Sequence, residues 1–192
     1  MGFLSMCRDR GEGDPAPDPF FKRREACHLP FDERSAFDLS LGMTIAIREM
    51  EPTDIAVCRL LLSQLGYDLN PQEVIRRYEA VKENRNHAVF VGEQDGQVIA
   101  LLHLYERPAF DKPPEVVVQA LVVDQNWWGT GVGKAMMNMA EHWALNRGFS
   151  SVALTSSISR SDAHSFYKRI GYQVEATSHL FRKKLVDLLV HG

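Results

Sequence analysis

The 192-residue chain has little cysteine, a small net charge and no long apolar run. Each lack excludes something. Its three cysteines, Cys7, Cys27 and Cys58, are odd in number and widely spaced. No two have metal-ligand spacing, so neither a disulfide framework nor a metal site is expected, and reduced thiols in a cytoplasmic protein are. The longest apolar run, residues 116–123, is interrupted by Gln119 and falls far short of the roughly 20 residues that a membrane helix needs. No basic start leads into an apolar stretch, so no secretory leader is expected. Gly2 opens a myristoylation pattern, but Met6 stands where that pattern needs Ser or Thr. A net charge of -3 and a pI near 6.2 lack the basic excess of a nucleic-acid binder. What is left is a chain with neither membrane nor nucleic acid as partner. At 45% hydrophobic and 24% charged it can bury an ordinary globular core unaided.

Residues 1–42 carry Pro15, Pro17, Pro19 and Pro30, charges of both signs and no sustained periodicity. They read as a disordered tail, or as a stretch ahead of the true start at Met43, with residues 43–192 as the domain. From Met43 strands and helices alternate. Strand patterns cover residues 43–48, 87–91, 97–105, 115–123, 151–155, 172–175 and 178–184. Pro52 and the apolar positions Ile55, Cys58, Leu61, Leu62 and Leu65 predict a helix closed by Gly66. Asn70 and Pro71 predict the start of a second, carrying Val74, Ile75, Tyr78 and Val81. A long helix over residues 132–146 puts Val132, Ala135, Met136, Met139 and Trp143 on one face. A last helix over residues 162–170 stops at Gly171. Asp95-Gly96 signals a hairpin. Hairpins among crossovers predict a mixed α/β fold, with a mostly antiparallel central sheet flanked by helices.

The most informative segment is Gly129-Thr130-Gly131-Val132-Gly133-Lys134, between a buried strand and the long helix. Glycines let a ligand approach the backbone, and free N–H groups at a helix start converge on an anion, so phosphate or pyrophosphate is the natural guest. Spacing separates the nucleotide-type readings. A P-loop needs glycine where Trp128 stands and Ser or Thr where Ala135 stands. A dinucleotide fingerprint needs its third glycine where Lys134 stands, and an acid in a region where residues 150–157 hold none. Both fail. What remains is a Gly-x-Gly-x-Gly turn.

That turn resembles motif A of the GNAT superfamily of N-acetyltransferases. A later segment, from Ala163 through Tyr167 to Gly171 and Tyr172, resembles the family's Ala-x-x-x-Tyr…Gly-Tyr/Phe motif. The resemblance runs from about Met43 to Leu185. It implies a GNAT-like acyl-CoA fold and acetyl-CoA as co-substrate, with no metal. It also implies that the strand residues Leu121, Val122 and Val123 present their backbone to the pantetheine and thioester. The pyrophosphate then falls to Gly129, Thr130, Gly131, Val132, Gly133 and Lys134. Tyr167 matches the tyrosine beside the sulfur, able to protonate the departing thiolate. Two positions depart from the pattern: Trp128 replaces the usual Arg or Gln before the first glycine, and Arg160 replaces an Asn before the last helix.

Acetyl transfer also needs a base, because only a neutral amine attacks. Many relatives carry a Glu in the middle of the fourth strand, where this chain has Gln119, which cannot serve. Glu115 at the strand's start and His103 on the preceding strand, on one face with Tyr105, are the candidates. His164 lies one helical turn before Tyr167 and suits packing equally well. No cysteine lies in either motif, which favours direct attack over an acyl-enzyme. The expected acceptor is a primary amine, of a small molecule rather than a protein, and a homodimer stays open. The alternative reading is a non-catalytic domain that binds or senses coenzyme A.

Overall fold

The computed structural model describes residues 34–39 and 44–184. Six strands form one sheet in chain order: β1 (Arg34–Asp38), β2 (Thr44–Glu49), β3 (His87–Gln94), β4 (Gln97–Arg107), β5 (Glu115–Val123) and β6 (Val152–Leu154). Every pairing is antiparallel except β5 with β6. Among the described residues four α-helices complete the fold: α1 (Ile55–Gln64), α2 (Pro71–Lys82), α3 (Val132–Asn146) and α4 (Ser161–Arg169). The parallel β5–β6 pair needs a crossover, and α3 supplies it.

Local chemistry explains the boundaries. Asn70 accepts a hydrogen bond from the Glu73 N–H and Pro71 starts α2, so two helix-start preferences coincide. Asp95 and Gly96 both take positive φ, the conformation a two-residue hairpin requires. Ahead of α1, Arg48 on β2 holds Asp54 with two bonds of 2.7 and 3.0 Å and reaches Glu93 at 2.9 Å. This ion triplet fastens the start of α1 to the sheet.

The two faces of the sheet bury different helices. On one, α3 sets Met136, Met137, Met139, Ala140 and Trp143 against Ile45, Ile47, Phe90, Leu102, Leu104, Val116 and Val118. On the other, Cys58 and Leu61 of α1 and Tyr78 of α2 cover Val91, Leu101 and Val122. The Tyr78 hydroxyl donates to the Met50 carbonyl at 2.9 Å, so its one polar atom is satisfied. Met136 and Met139 are core, as their spacing suggested, and Met137 is buried with them.

Two expectations change. The sheet gains β1 ahead of Met43, paired with β2 across Ala36 and Ala46, with Leu39 buried beside it. Residues 1–33 and 40–43, with Cys7, Cys27 and Met43, lie outside the described residues. At the other end residues 172–184 form no strand, and most are exposed. Alternation there is real, but strands need a ladder partner and a face to bury.

Candidate active site

The site begins where β5 outruns its neighbour. β6 pairs only with Val116, Val117 and Val118, so beyond Val118 the far edge of β5 lies open. The register against β4 slips at the same place. His103 faces Ala120 and Leu104 faces Val118, leaving Gln119 as an extra, exposed residue on β5. A bulge of this kind bends a strand and re-aims its backbone, and bulges gather beside active sites.

Alternation then decides which backbone groups the open edge displays. The Asp124 N–H donates to the Ile99 carbonyl at 2.8 Å, which makes 124 and 99 a hydrogen-bonded pair. Val122 therefore pairs with Leu101 and turns its N–H and C=O toward β4, with its side chain in the α1–α2 core. Leu121 and Val123 turn theirs outward. Of the three strand residues, two can offer an extended guest a ladder and Val122 cannot. The outward Val123 carbonyl already accepts a bond of 2.8 Å from the Trp128 indole N–H.

The glycine turn follows directly. Asp124 accepts from the Asn126 N–H at 2.9 Å, and a short 3-10 turn over Gln125–Trp127 leads into Trp128. Gln64, the last residue of α1, donates to Asp124 at 3.0 Å and accepts from the Gln125 N–H at 3.3 Å, tying the turn to α1. Gly129 and Gly131 have φ of 79° and 100°, which side-chain-bearing residues rarely adopt. Thr130 turns inward, its hydroxyl donating to the Trp127 carbonyl at 2.7 Å. Gly131 caps α3 with no side chain in the way, and the N–H groups of Gly131, Val132, Gly133 and Lys134 have no partner within the helix. Val132 contributes only its backbone, because its side chain is fully buried. Lys134 is exposed one turn in. Such a helix start, bare of side chains and carrying a partial positive charge, fits a pyrophosphate. Trp127 packs on the core, whereas Trp128 stays 71% exposed.

Gly133 has a different purpose. A Cβ there would lie 3.2 Å from the Phe166 ring, so this glycine lets α4 approach the start of α3. Tyr167 is half-buried against the α3-side core, its ring edge-on to Tyr172 at 6.1 Å. Burial raises its pKa and the nearby Arg160 charge opposes that more weakly, so the phenol keeps its proton at neutral pH. Arg160 precedes α4 and donates to the Leu65 carbonyl at the end of α1, a bond of 3.1 Å. Nothing in the local pattern signalled the Gln64 and Arg160 clamps, because both join residues far apart in sequence.

The base candidates differ in setting. Glu115 sits at the start of β5, held by Arg107 and by Lys112 at 3.0 Å. Burial pushes its pKa up, but the bonds from Arg107 and Lys112 prevail and leave it below the ordinary carboxylate value. His103 lies across from the bulge at Ala120, its Nε2 3.0 Å from Nδ1 of His87. Burial above all, and the His87 charge second, push it down to about 4, so the imidazole is neutral near pH 7. His164 is half-buried on α4. Asp68 and the basic residues Arg182, Lys183 and Lys184 are exposed.

Among the described residues no group of three His, Cys, Asp or Glu side chains is placed to hold a metal ion, and no helix is long and apolar enough to cross a membrane.

Known proteins resemble this chain. The uncharacterized N-acetyltransferase YhdJ of Bacillus subtilis is 29% identical over 124 residues, covering 64% of this chain and 86% of the relative. AAC(6')-Iy, solved with the bisubstrate analog CoA-S-monomethyl-acetylneamine, superposes with a TM-score of 0.67 at 21% identity, over 73% of this chain and 98% of that one. A putative acetyltransferase of Agrobacterium tumefaciens gives 0.65 at 21% identity, over 71% and 99%. Residues 55–172, from the start of α1 through the glycine turn to Tyr172, match the model of the acetyltransferase (GNAT) family. The chain belongs to the GNAT family and is an N-acetyltransferase.

Proposed function

We propose that the protein moves the acetyl group of acetyl-CoA to a primary amine of a small molecule, by direct attack. The observation that carries this reading is the continuity of the bare helix start at Gly131 with the open edge of β5. With a pyrophosphate on the turn, an extended arm running back along Val123 and Leu121 reaches the bulge at Gln119 after about 13 Å, four strand steps. Its amides meet the outward backbone groups of those residues, and its thioester end comes to lie beside the bulge. Acetyl-CoA supplies the activated acyl group when bound; the chain supplies position and proton transfers.

The amine nitrogen attacks the carbonyl carbon, a C–N bond forms and the C–S bond breaks. His103 takes the proton the amine loses, and Tyr167 donates one to the departing sulfur. His103 is preferred to Glu115 because it faces the bulge, whereas Glu115 is tied to Arg107 and Lys112. Among the described residues no cysteine suits an acyl-enzyme: Cys58 is buried in α1, and burial with Asp54 nearby pushes its thiol up to about 12. AAC(6')-Iy, with its bound bisubstrate analog, supports a small-molecule amine as acceptor.

The test is Gly131→Glu, which puts a side chain at a φ of 100° and a negative charge into the anion site. Acetyl-CoA affinity measured by calorimetry should fall by at least about 100-fold, more than the 2.7 kcal/mol of that factor, with native circular dichroism. Unchanged affinity in the folded variant would remove the cofactor from this turn.

A further inference from the structure

We propose that His87 is the positioning partner of His103, holding it in the tautomer whose Nδ1 is free to take the amine's proton. This rests on the reading of His103 as the base.

His87 and Tyr105 are opposed in the β3–β4 ladder, as are Val89 and His103, so the two histidines are diagonal neighbours on one face. Their rings meet through His87 Nδ1 and His103 Nε2 at 3.0 Å, with centroids 5.3 Å apart. The Tyr105 ring stacks on His87 at 5.5 Å and fixes its plane. Two nitrogens at that distance share one proton: one donates and the other accepts. Only one arrangement leaves His103 useful. If His103 carried its proton on Nδ1, its other nitrogen would be occupied by a donating His87 and no lone pair would remain for the amine. With the proton on His103 Nε2, donated to His87 Nδ1, the lone pair on His103 Nδ1 is open.

The pair also answers an electrostatic difficulty. Burial and His87 are the groups that shift His103, and no carboxylate is among them. A half-buried imidazole that gains a proton with no anion beside it needs another acceptor. A charged His87 opposes protonation of His103, so the pair works with His87 neutral: as the amine N–H bond breaks and the Nδ1–H bond forms, the strengthened Nε2–H donor is met by the His87 Nδ1 lone pair. The Nδ1 proton then leaves to water. His87 is half-buried and opens β3 directly after the exposed residues Asn84, Arg85 and Asn86.

Nitrogen-15 NMR of the full chain at neutral pH reads the tautomers without any substrate. His103 should be protonated at Nε2 and His87 at Nε2. A His103 protonated at Nδ1 overturns the proposal. His87→Phe should let His103 shift to the Nδ1–H form, while His87→Asn, whose side-chain carbonyl accepts, should retain Nε2–H. With acetyl-CoA and neamine as the amine, His87→Phe should lower kcat about 10- to 100-fold, the scale on which outer partners of metal-bound histidines act. The acetyl-CoA KM should stay constant, and His87→Asn should recover most of the loss. If His103→Gln is impaired but His87→Phe turns over like the parent, the positioning role is wrong and the base stands. If His103→Gln itself turns over like the parent, both fall.

Discussion

Helices α3 and α4 flank the same glycine turn and are held in opposite ways. α3 buries eight side chains, from Val132 to Ala144, whereas α4 buries none completely. α3 is thus part of the core, packed against the sheet from its first residue, Val132. α4 is attached by a few contacts: Phe166 over Gly133, Tyr167 and Ile170 against the core edge, and the Arg160 bond to Leu65. The difference divides labour. The groups proposed to bind the anion sit on the deeply buried helix, and the phenol proposed to serve the leaving group sits on the lightly held one.

That division can be tested, beginning with its largest effect. Tyr167→Phe keeps the ring and its packing but removes the donor. Turnover should fall roughly 10- to 300-fold, the lower part of the range for a general acid, because a thiol of pKa around 8.5 leaves fairly well unaided. Acetyl-CoA affinity and melting temperature should hardly move. A Phe variant within twofold of the parent, where chemistry limits the rate, would make α4 a packing element only.

Two glycines compare the packing itself. At Gly92 on β3 an added Cβ would lie 2.7 Å from Ile45 Cδ1, 3.0 Å from Met136 Sδ and 3.2 Å from Ala100 Cβ. These neighbours are wholly buried, so they yield little, and Gly92→Ala should cost about 1–3 kcal/mol in denaturant unfolding. A cost below the error of such a measurement would show that the α3 side is looser than its burial implies.

Gly133→Ala should have the smallest effect. The Cβ comes close to the far edge of the Phe166 ring, at 3.2–3.3 Å on a lightly held helix, and makes an ordinary contact with Val123 Cγ2 at 3.9 Å. Alanine gains roughly 0.5–1 kcal/mol over glycine within a helix, which offsets the contact, so net stability should change by less than about 1 kcal/mol. A loss as large as that at Gly92 would mean α4 is held as firmly as α3.

Much of this was legible before any coordinates. The boundaries of β5 and α3 follow from an apolar run that stops at Asp124, ahead of the glycine turn, and from a 3.6-residue stripe of buried positions. Asn70-Pro71 marks the start of α2 and Asp95-Gly96 a hairpin, because each is a local signal with a local cause. The ends were misjudged for the opposite reason. Whether residues 34–38 or 172–184 form strands depends on a neighbour, and alternation alone names none.

The same boundary runs through the site. By itself the sequence determined the glycine turn, the family it belongs to and Tyr167 on its helix, since each is a short pattern read along the chain. Only the tertiary structure decided which backbone groups are offered, that Gln119 is a bulge, that Glu115 is bound to Arg107 and Lys112, and that His87 meets His103. These depend on strand register, and a shift of one residue would turn every side chain to the other face. Register is set by the packing of both faces at once, so no single segment contains it.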